Sequence, residues 1–363
     1  MEYFEELFSK LSGIQNLSIA VIGDFTLDKF VFVDNTKLKL SVYNENAVFH
    51  VMNSKKSPGA AGAVCKNLVN LGVGQVYAIG FVGQDGNGYE TISELERLGV
   101  QTAHLFSSEL RKTPACTMIH ENTDKEPDVF MESCEYDSIN CTSTPVKVQQ
   151  KLIDELDAIL HAKKLDAVIV VDTCEHLNRG VICENVRRYL ADAAKMCPDT
   201  IFLCDSSRFL LDFDGMLLKC NESELERTGI MTNKTIKEAC KELASEKKKA
   251  VVVTSGENGC TLALPEEKPF RIPARPVPYN VLDSRGAGDE FTAAFVSSLC
   301  MGVSAPDAAL IGTVGASLCC EQVASTGIVK MNDIQEALML WLNTVSQTQK
   351  AAQPQYAGGV RDA

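Results

Sequence analysis

Residues 283–291, DSRGAGDEF, set two glycines around an alanine, place the carboxylate of Asp289 directly after them, and open an apolar run at Phe291. Gly286, Ala287 and Gly288 can leave backbone N–H groups pointing outward at a helix start, where the dipole favours an anion, with Asp289 beside them to take a proton. The same letters fit a tight turn with Asp289 as an ordinary N-cap, or a packing loop in which glycine lets two backbones approach. Two more groups carry possible chemistry. In IGDFTLDKF (22–30), Asp24 and Asp28 follow an apolar run, as turn acids or as acceptors for neighbouring hydroxyls. Asn221 and Glu224 stand one helical turn apart and share a face, a spacing that alone carries little signal.

The elements that must hold these residues are short apolar runs alternating with helical patterns. LSIAVIG (17–23), QVYAIGFVG (75–83), LDAVIVVD (165–172), TIFLCD (200–205) and AVVVTSG (250–256) read as buried strands. AGAVCKNLVNLG (61–72), TISELERLG (91–99), ENVRRYLADAAKM (184–196) and TIKEACKELASEKK (235–248) read as helices, with Gly72 and Gly99 as stops. Strands without alternating polarity, separated by helices, predict an α/β fold with a mostly parallel sheet covered on both faces. Two segments richer in Thr, Val, Phe and Tyr, about 29–53 and 114–132, predict a small β lid. Residues 1–345 are expected to form one domain and 346–363 a loose polar tail.

The chain has 363 residues, 45% hydrophobic and 23% charged, ample for a large core. A net charge of −13 argues against nucleic-acid binding, which needs clustered Lys and Arg, yet leaves room for small phosphorylated ligands held by local geometry. The 14 cysteines include no Cys-x-x-Cys pair and many lie in apolar runs, which reads as free thiols in a reducing cytoplasm. The five histidines lack metal-ligand spacing. The acidic N-terminus lacks the pattern of a signal peptide, and no apolar stretch reaches membrane-span length, so no membrane partner is expected.

Taken in order, four stretches over roughly residues 17–340 resemble the ribokinase-like (PfkB) carbohydrate kinases. The family's late signature, Asp-Thr-x-Gly-Ala-Gly-Asp, is met at Asp283, Gly286, Ala287, Gly288 and Asp289. Its early signature is met in SPGAAGAVCKNLVNLGVGQVYAIGFVGQDGNG (57–88), with Ala60 where the second glycine is usual and Ala63 where asparagine is usual. Asp28 matches the aspartate after the first strand, and Asn221 with Glu224 matches Asn-x-x-Glu. Thr254, Gly256 and Gly259 match Thr-x-Gly-x-x-Gly.

The resemblance implies ATP-dependent phosphorylation of a hydroxyl on a sugar or sugar phosphate, with Asp289 as base and Gly286–Gly288 as the anion hole. It implies Asp28, Asp24 and Gly59 on the sugar, and Glu224 organising Mg²⁺ through water. Thr254, Gly256 and Gly259 would lie along the nucleotide, although the two glycines also fit a plain hairpin. Arg285 fits either the nucleotide phosphates or a surface salt bridge, and Gly315 either an adenine wall or helix packing. Asp85 reads as a cap. GDFTLDKFVF and the long interval before PGAAG resemble the bacterial heptose-phosphate kinases, in which case Arg111 and Lys112 are candidates for a substrate phosphate. A monovalent cation and a homodimer through the lid are further implications. The alternative is a degenerate member that binds nucleotide or sugar as a regulatory module without turnover.

Overall fold

The computed structural model describes residues 2–123, 126–277, 284–322 and 328–351. The strands are β1 (Ser18–Gly23), β2 (Phe25–Leu40), β3 (Ala47–Ala60), β4 (Gln75–Gly83), β5 (Gln101–Ser108), β6 (Ala115–Thr123), β7 (Glu126–Ser138), β8 (Ala167–Asp172), β9 (Ile201–Ser206), β10 (Leu217–Asn221), β11 (Val251–Thr254), β12 (Cys260–Ala263) and β13 (Phe270–Ile272). The helices are α1 (Glu2–Leu11), α2 (Ala61–Leu71), α3 (Gly86–Arg97), α4 (Val146–Ala162), α5 (Glu184–Met196), α6 (Glu222–Arg227), α7 (Ile236–Lys247), α8 (Ala287–Cys300), α9 (Ala305–Cys319) and α10 (Met331–Ala351).

The main sheet runs β5-β4-β1-β8-β9-β10-β11-β12-β13, parallel from β5 to β11, with β12 and β13 antiparallel at its edge. Its central strands are buried on both faces, which is why they read as unbroken apolar runs. Ile19 and Val21 of β1 join α1, α2, α8, α9 and α10 on one side; Ala20 and Ile22 join α4, α5 and α7 on the other. The parallel sheet with helices on both faces is the fold expected.

The lid is a second sheet, β3-β2-β6-β7, larger than expected: its strands extend down to Phe25, Ala60 and Ser138 and so reach the root of the main sheet. Phe30 and Met118 are buried on one lid face with Phe32 beside them. Alternation puts Asp28 on that same face, two residues nearer the root. α10 continues to Ala351, into the stretch 346–363 expected as a tail, and residues 352–363 of that stretch lie outside the described ones. All fourteen cysteines are free. No helix among the described residues is long and apolar enough to cross a membrane.

Candidate active site

The carboxyl ends of the parallel strands share one edge, where an open α/β sheet leaves its crevice. Asp24 follows β1, Asp172 closes β8, Asp205 lies near the end of β9, and Asn221 and Thr254 end β10 and β11. Into this edge comes the start of α8. Gly286 bends the chain at φ 78°, a conformation that costs glycine nothing, and the helix begins at Ala287. The amides of Gly288 and Asp289 meet no acceptor among the described residues, whereas Ala287 N–H donates to the Ser284 carbonyl at 3.3 Å. Gly286 N–H likewise meets no acceptor among the described residues, so of the amides expected at 286–288 only Ala287 is engaged, in a turn, and the Asp289 amide joins the other two. Asp283 lies outside the described residues.

Behind these amides stands Lys219 of β10, 5% exposed, its Nζ 2.6 Å from Asp205 Oδ2. Thr292, one turn into α8, donates to the same carboxylate oxygen at 3.1 Å. A Cβ at position 288 would stand 3.3 Å from Lys219 Nζ, so glycine there keeps the ammonium close to the helix start. Asp289 is pushed up to about 7, first by burial. Lys219 and Lys66 oppose that rise, and the carboxylates of Asp205 and Asp28 add to it.

On the lid side, Asp28 pairs across the strands with Ser57 of β3 and Cys116 of β6, and Cys116 pairs with Asp137 of β7. The Cys116 thiol and the carboxylates of Glu135 and Asp137 lie within 4.8 Å of one another. Asp28 is pushed up to about 6 by burial, with Glu135 and Asp137 adding and Lys66 and Arg285 opposing. Gly59, which the resemblance puts in a glycine-led turn opening the helix, lies on β3 opposite Thr26; a Cβ there would overlap Asp28 Oδ1 and Thr26 Oγ1. The turn into α2 falls instead on Ala60, which holds φ 48° without glycine's freedom.

A cavity of about 450 Å³ opens beside this row, lined by Thr26, Cys116, Asp137, Asn140, His176 and Arg179 among others. Asp28 and Asp289 are not among its lining residues. Asp24 lines it too, but its oxygens accept N–H bonds from Val181 at 2.8 Å, Cys174 at 3.1 Å and Thr173 at 3.2 Å. Asp24 therefore ties the loop after β8 to β1, and its expected place on the sugar hydroxyls gives way to that. Arg111 is corrected likewise. Its buried guanidinium donates to the carbonyls of Thr142 (2.9 Å), Ser143 (3.3 Å) and Arg179, leaving it a clamp beneath the cavity. Lys112 is exposed, its backbone bound to Asn140.

On the nucleotide side, Asn221 and Glu224 cap α6 reciprocally: Asn221 Oδ1 accepts from Glu224 N–H at 2.9 Å and Glu224 Oε2 from Asn221 N–H at 2.7 Å. That leaves Glu224 Oε1 for another ligand. Asn221 and Thr254 are register partners, and Gly256 and Gly259, at φ 53° and 80°, make the hairpin joining β11 to β12. Arg285 reaches the lid, with Nη2 2.6 Å from Glu132 and 3.5 Å from Glu135. Gly315 is buried in α9 facing Glu290 and Ile334, so it packs helices and walls no open groove. Asp85 caps α3 as expected, accepting from Gly88 N–H at 2.8 Å.

Sequence reasoning passed over four charged residues here: Lys66, Asp205, Lys219 and Glu290. Asp205 and Lys219 interrupt apolar strands near their ends, and Glu290 interrupts an apolar helix; a charge in such a run was the available signal.

The pfkB family carbohydrate kinase model matches residues 17–330. An uncharacterised sugar kinase of Buchnera aphidicola is 26% identical over 348 residues, covering 91% of this chain and 98% of its own. The bifunctional protein HldE of a Bradyrhizobium strain is 26% identical over 318 residues, 86% of this chain; the chain spans only 61% of that relative's length. Among solved structures, phosphofructokinase-2 from Escherichia coli in complex with substrates and products aligns with a TM-score of 0.69 at 18% identity, covering 90% of this chain and all 100% of that one. Arabidopsis thaliana ribokinase complexed with ribose and ATP aligns at 0.64 and 19% identity, covering 89% and 98%. At those identities the likeness is one of fold.

Proposed function

From the membership of this chain in the pfkB family of carbohydrate kinases, which makes it a sugar kinase, we propose that it phosphorylates a hydroxyl of a sugar phosphate, with ATP as donor and Asp289 as base. One observation carries the reading: Asp289 sits at the start of α8, where its own amide and that of Gly288 meet no acceptor among the described residues, with a buried ammonium behind them. The acceptor hydroxyl gives its proton to Asp289 as its oxygen bonds to the γ-phosphorus, and the bond from that phosphorus to the bridging oxygen breaks, releasing ADP. Gly288 and Asp289 N–H groups and Lys219 meet the charge spread over the phosphoryl oxygens. A hard cation suits the carboxylate oxygen left over at Glu224, and Mg²⁺ held there through water would neutralise nucleotide phosphate charge. Thr254 and the Gly256–Gly259 hairpin flank that end.

A phosphate on the acceptor, as in a heptose phosphate, is supported by the cavity. Arg179 lines it, and its guanidinium has no hydrogen-bond or ion-pair partner among the described residues. Of the three acids lining it, Asp24 is filled by amides, Glu175 pairs with Arg227 at 2.7 Å, and Asp137 lies on the lid side with Cys116 and Glu135. Arg179 thus replaces Arg111 as the group for the substrate phosphate. The lid also exposes Phe49, Val51, Met52 and Met131, an apolar surface suited to a second copy of the chain.

The test is ADP release from Mg-ATP over a panel of sugars and sugar phosphates. Turnover favouring phosphorylated acceptors is expected, abolished in Asp289→Asn; tight binding without turnover on any acceptor would leave a regulatory module instead. Arg179→Met should raise KM for a phosphorylated acceptor about tenfold to a hundredfold while sparing its unphosphorylated counterpart.

A further inference from the structure

Helix α2 is an apolar helix with one charged side chain. Ala61, Ala63, Val64, Cys65, Leu68 and Leu71 are buried, and Lys66 is half-buried among them. A lysine surrounded by core residues normally reaches for solvent along its stem. This one instead turns toward the root of the lid: its Nζ is 3.5 Å from Ser57 Oγ, and Ser57 is the cross-strand partner of Asp28. On its other side α2 packs against α8, whose first turn holds Asp289 and Glu290, and Cys319 at the end of α9 is also near. One ammonium is therefore set among the carboxyl groups of Asp28, Asp289 and Glu290.

The other lysine of the site cannot do the same work. Lys219 is held by Asp205 at 2.6 Å behind the helix start, away from the lid. Glu290 is 1% exposed, and its Oε1 has no hydrogen-bond partner. Burial pushes it up to about 8, so at neutral pH it stands there chiefly as the neutral acid and leaves the Lys66 charge to the other two. Burial also pulls the Lys66 ammonium below its ordinary range while Asp289 and Asp28 hold it up, which makes the coupling mutual.

We propose that Lys66 is a positioning residue for phosphoryl transfer: its ammonium is shared by Asp28, which receives the acceptor, and Asp289, which takes the acceptor's proton, and it fixes the one carboxylate relative to the other. This rests on the kinase reading of Asp289. The lysine touches neither reactant and acts through the two acids. Among the described residues, the charged groups that weigh on Asp289 are Lys66 from α2, Asp28 from β2, Asp205 from β9, Lys219 from β10 and Glu290 on its own helix. Removing Lys66 takes away one of two cations and leaves all the acids.

The experiment is the pH profile of kcat/KM for Lys66→Met and Lys66→Arg beside the parent, with Mg-ATP and whichever acceptor the panel identifies. The acidic limb in Lys66→Met should move up by about one pH unit, lowering kcat/KM at pH 7 about fivefold, and Lys66→Arg should return the limb toward its parent position. If a folded Lys66→Met keeps the parent limb, or loses rate equally at every pH, the lysine is only a core residue and the proposal is overturned. Should Lys66→Met fail to fold, Lys66→Gln carries the same comparison. Failure of the kinase reading looks different: the parent itself then has no turnover that Asp289→Asn removes.

Discussion

Buried, and with Asp205 and Asp28 near it, a carboxylate at position 289 becomes charged reluctantly, which would suit the proposed base to work near neutrality. With Asp289 pushed up to about 7, proton uptake from the acceptor requires the ionised form, so kcat/KM should rise with pH through about 7 and level above it. Asp289→Asn removes the proton acceptor but keeps the amides of the helix start. We expect kcat to fall about 10²- to 10⁴-fold with ATP affinity preserved, measured by ADP release and nucleotide titration. Gly59→Ala tests the acceptor side: its Cβ would displace Asp28, and a misplaced contact of that size costs about 10²-fold in acceptor kcat/KM. The order of small and acidic residues made Asp289, Asp28 and Gly59 legible beforehand, because a bare backbone beside an acid is written in residue types. Lys66 and Lys219 were not legible, since a lysine usually marks a solvated face and only packing turns it inward. Arg111 misled for the converse reason: the carbonyls that hold it, Thr142, Ser143 and Arg179, come from distant sequence.

Strands buried on both faces and the amphipathic helix α5 announced themselves: β1, β4, β8 and α5 fall within two residues of their sequence-based bounds. β10 did not, because Lys219 breaks a five-residue run, and β12 and β13 are too short to show a period. The lid root was also underestimated, since Pro58 and Gly59 read as a turn while the chain stays paired as far as Ala60. That pairing forces Ala60 to φ 48° at the mouth of α2, where a Cβ is strained. Ala60→Gly should stabilise the protein by about 1 kcal/mol in thermal or denaturant unfolding; a loss would mean the alanine methyl packs better than its backbone strains. The same scale holds the contact of Arg285 with Glu132 and Glu135, which joins the turn before the helix start to lid strand β7. Because these side chains are partly exposed, the pair contributes at most about 1 kcal/mol. A Glu132→Gln, Glu135→Gln double variant should raise acceptor KM by up to about fivefold and increase ATP hydrolysis without acceptor, and raised salt should mimic it in the parent.

Across the whole molecule the site acids set how stability depends on pH. Asp28, Asp289, Glu290 and Asp172 are pushed up to about 6, 7, 8 and 8, each mainly by burial. A carboxyl whose folded value lies above its unfolded value keeps its proton longer when folded. Well below pH 4 both states are protonated and the four acids favour neither. As pH rises from about 4 to about 8 the unfolded chain releases these protons first, and stability falls until the folded acids have ionised as well. Asp85, held below the usual carboxylate range by N–H bonds from Thr113 and Gly88, works the other way: its contribution is lost as pH drops through the ordinary carboxylate range. A net charge of −13 adds self-repulsion that grows on the alkaline side. Together these give a maximum on the acid side of neutrality, with Tm near pH 5.5 above that at pH 8.5. Glu290→Gln removes a site acid that is only 1% exposed, at little change in shape, so it should flatten the decline by raising Tm at pH 8.5 more than at pH 5.5. Differential scanning calorimetry across that range decides it: a Tm that climbs with pH would show that these acids ionise freely in the folded protein, and Asp289 would then lose the raised value that suits it to act as the base near neutral pH.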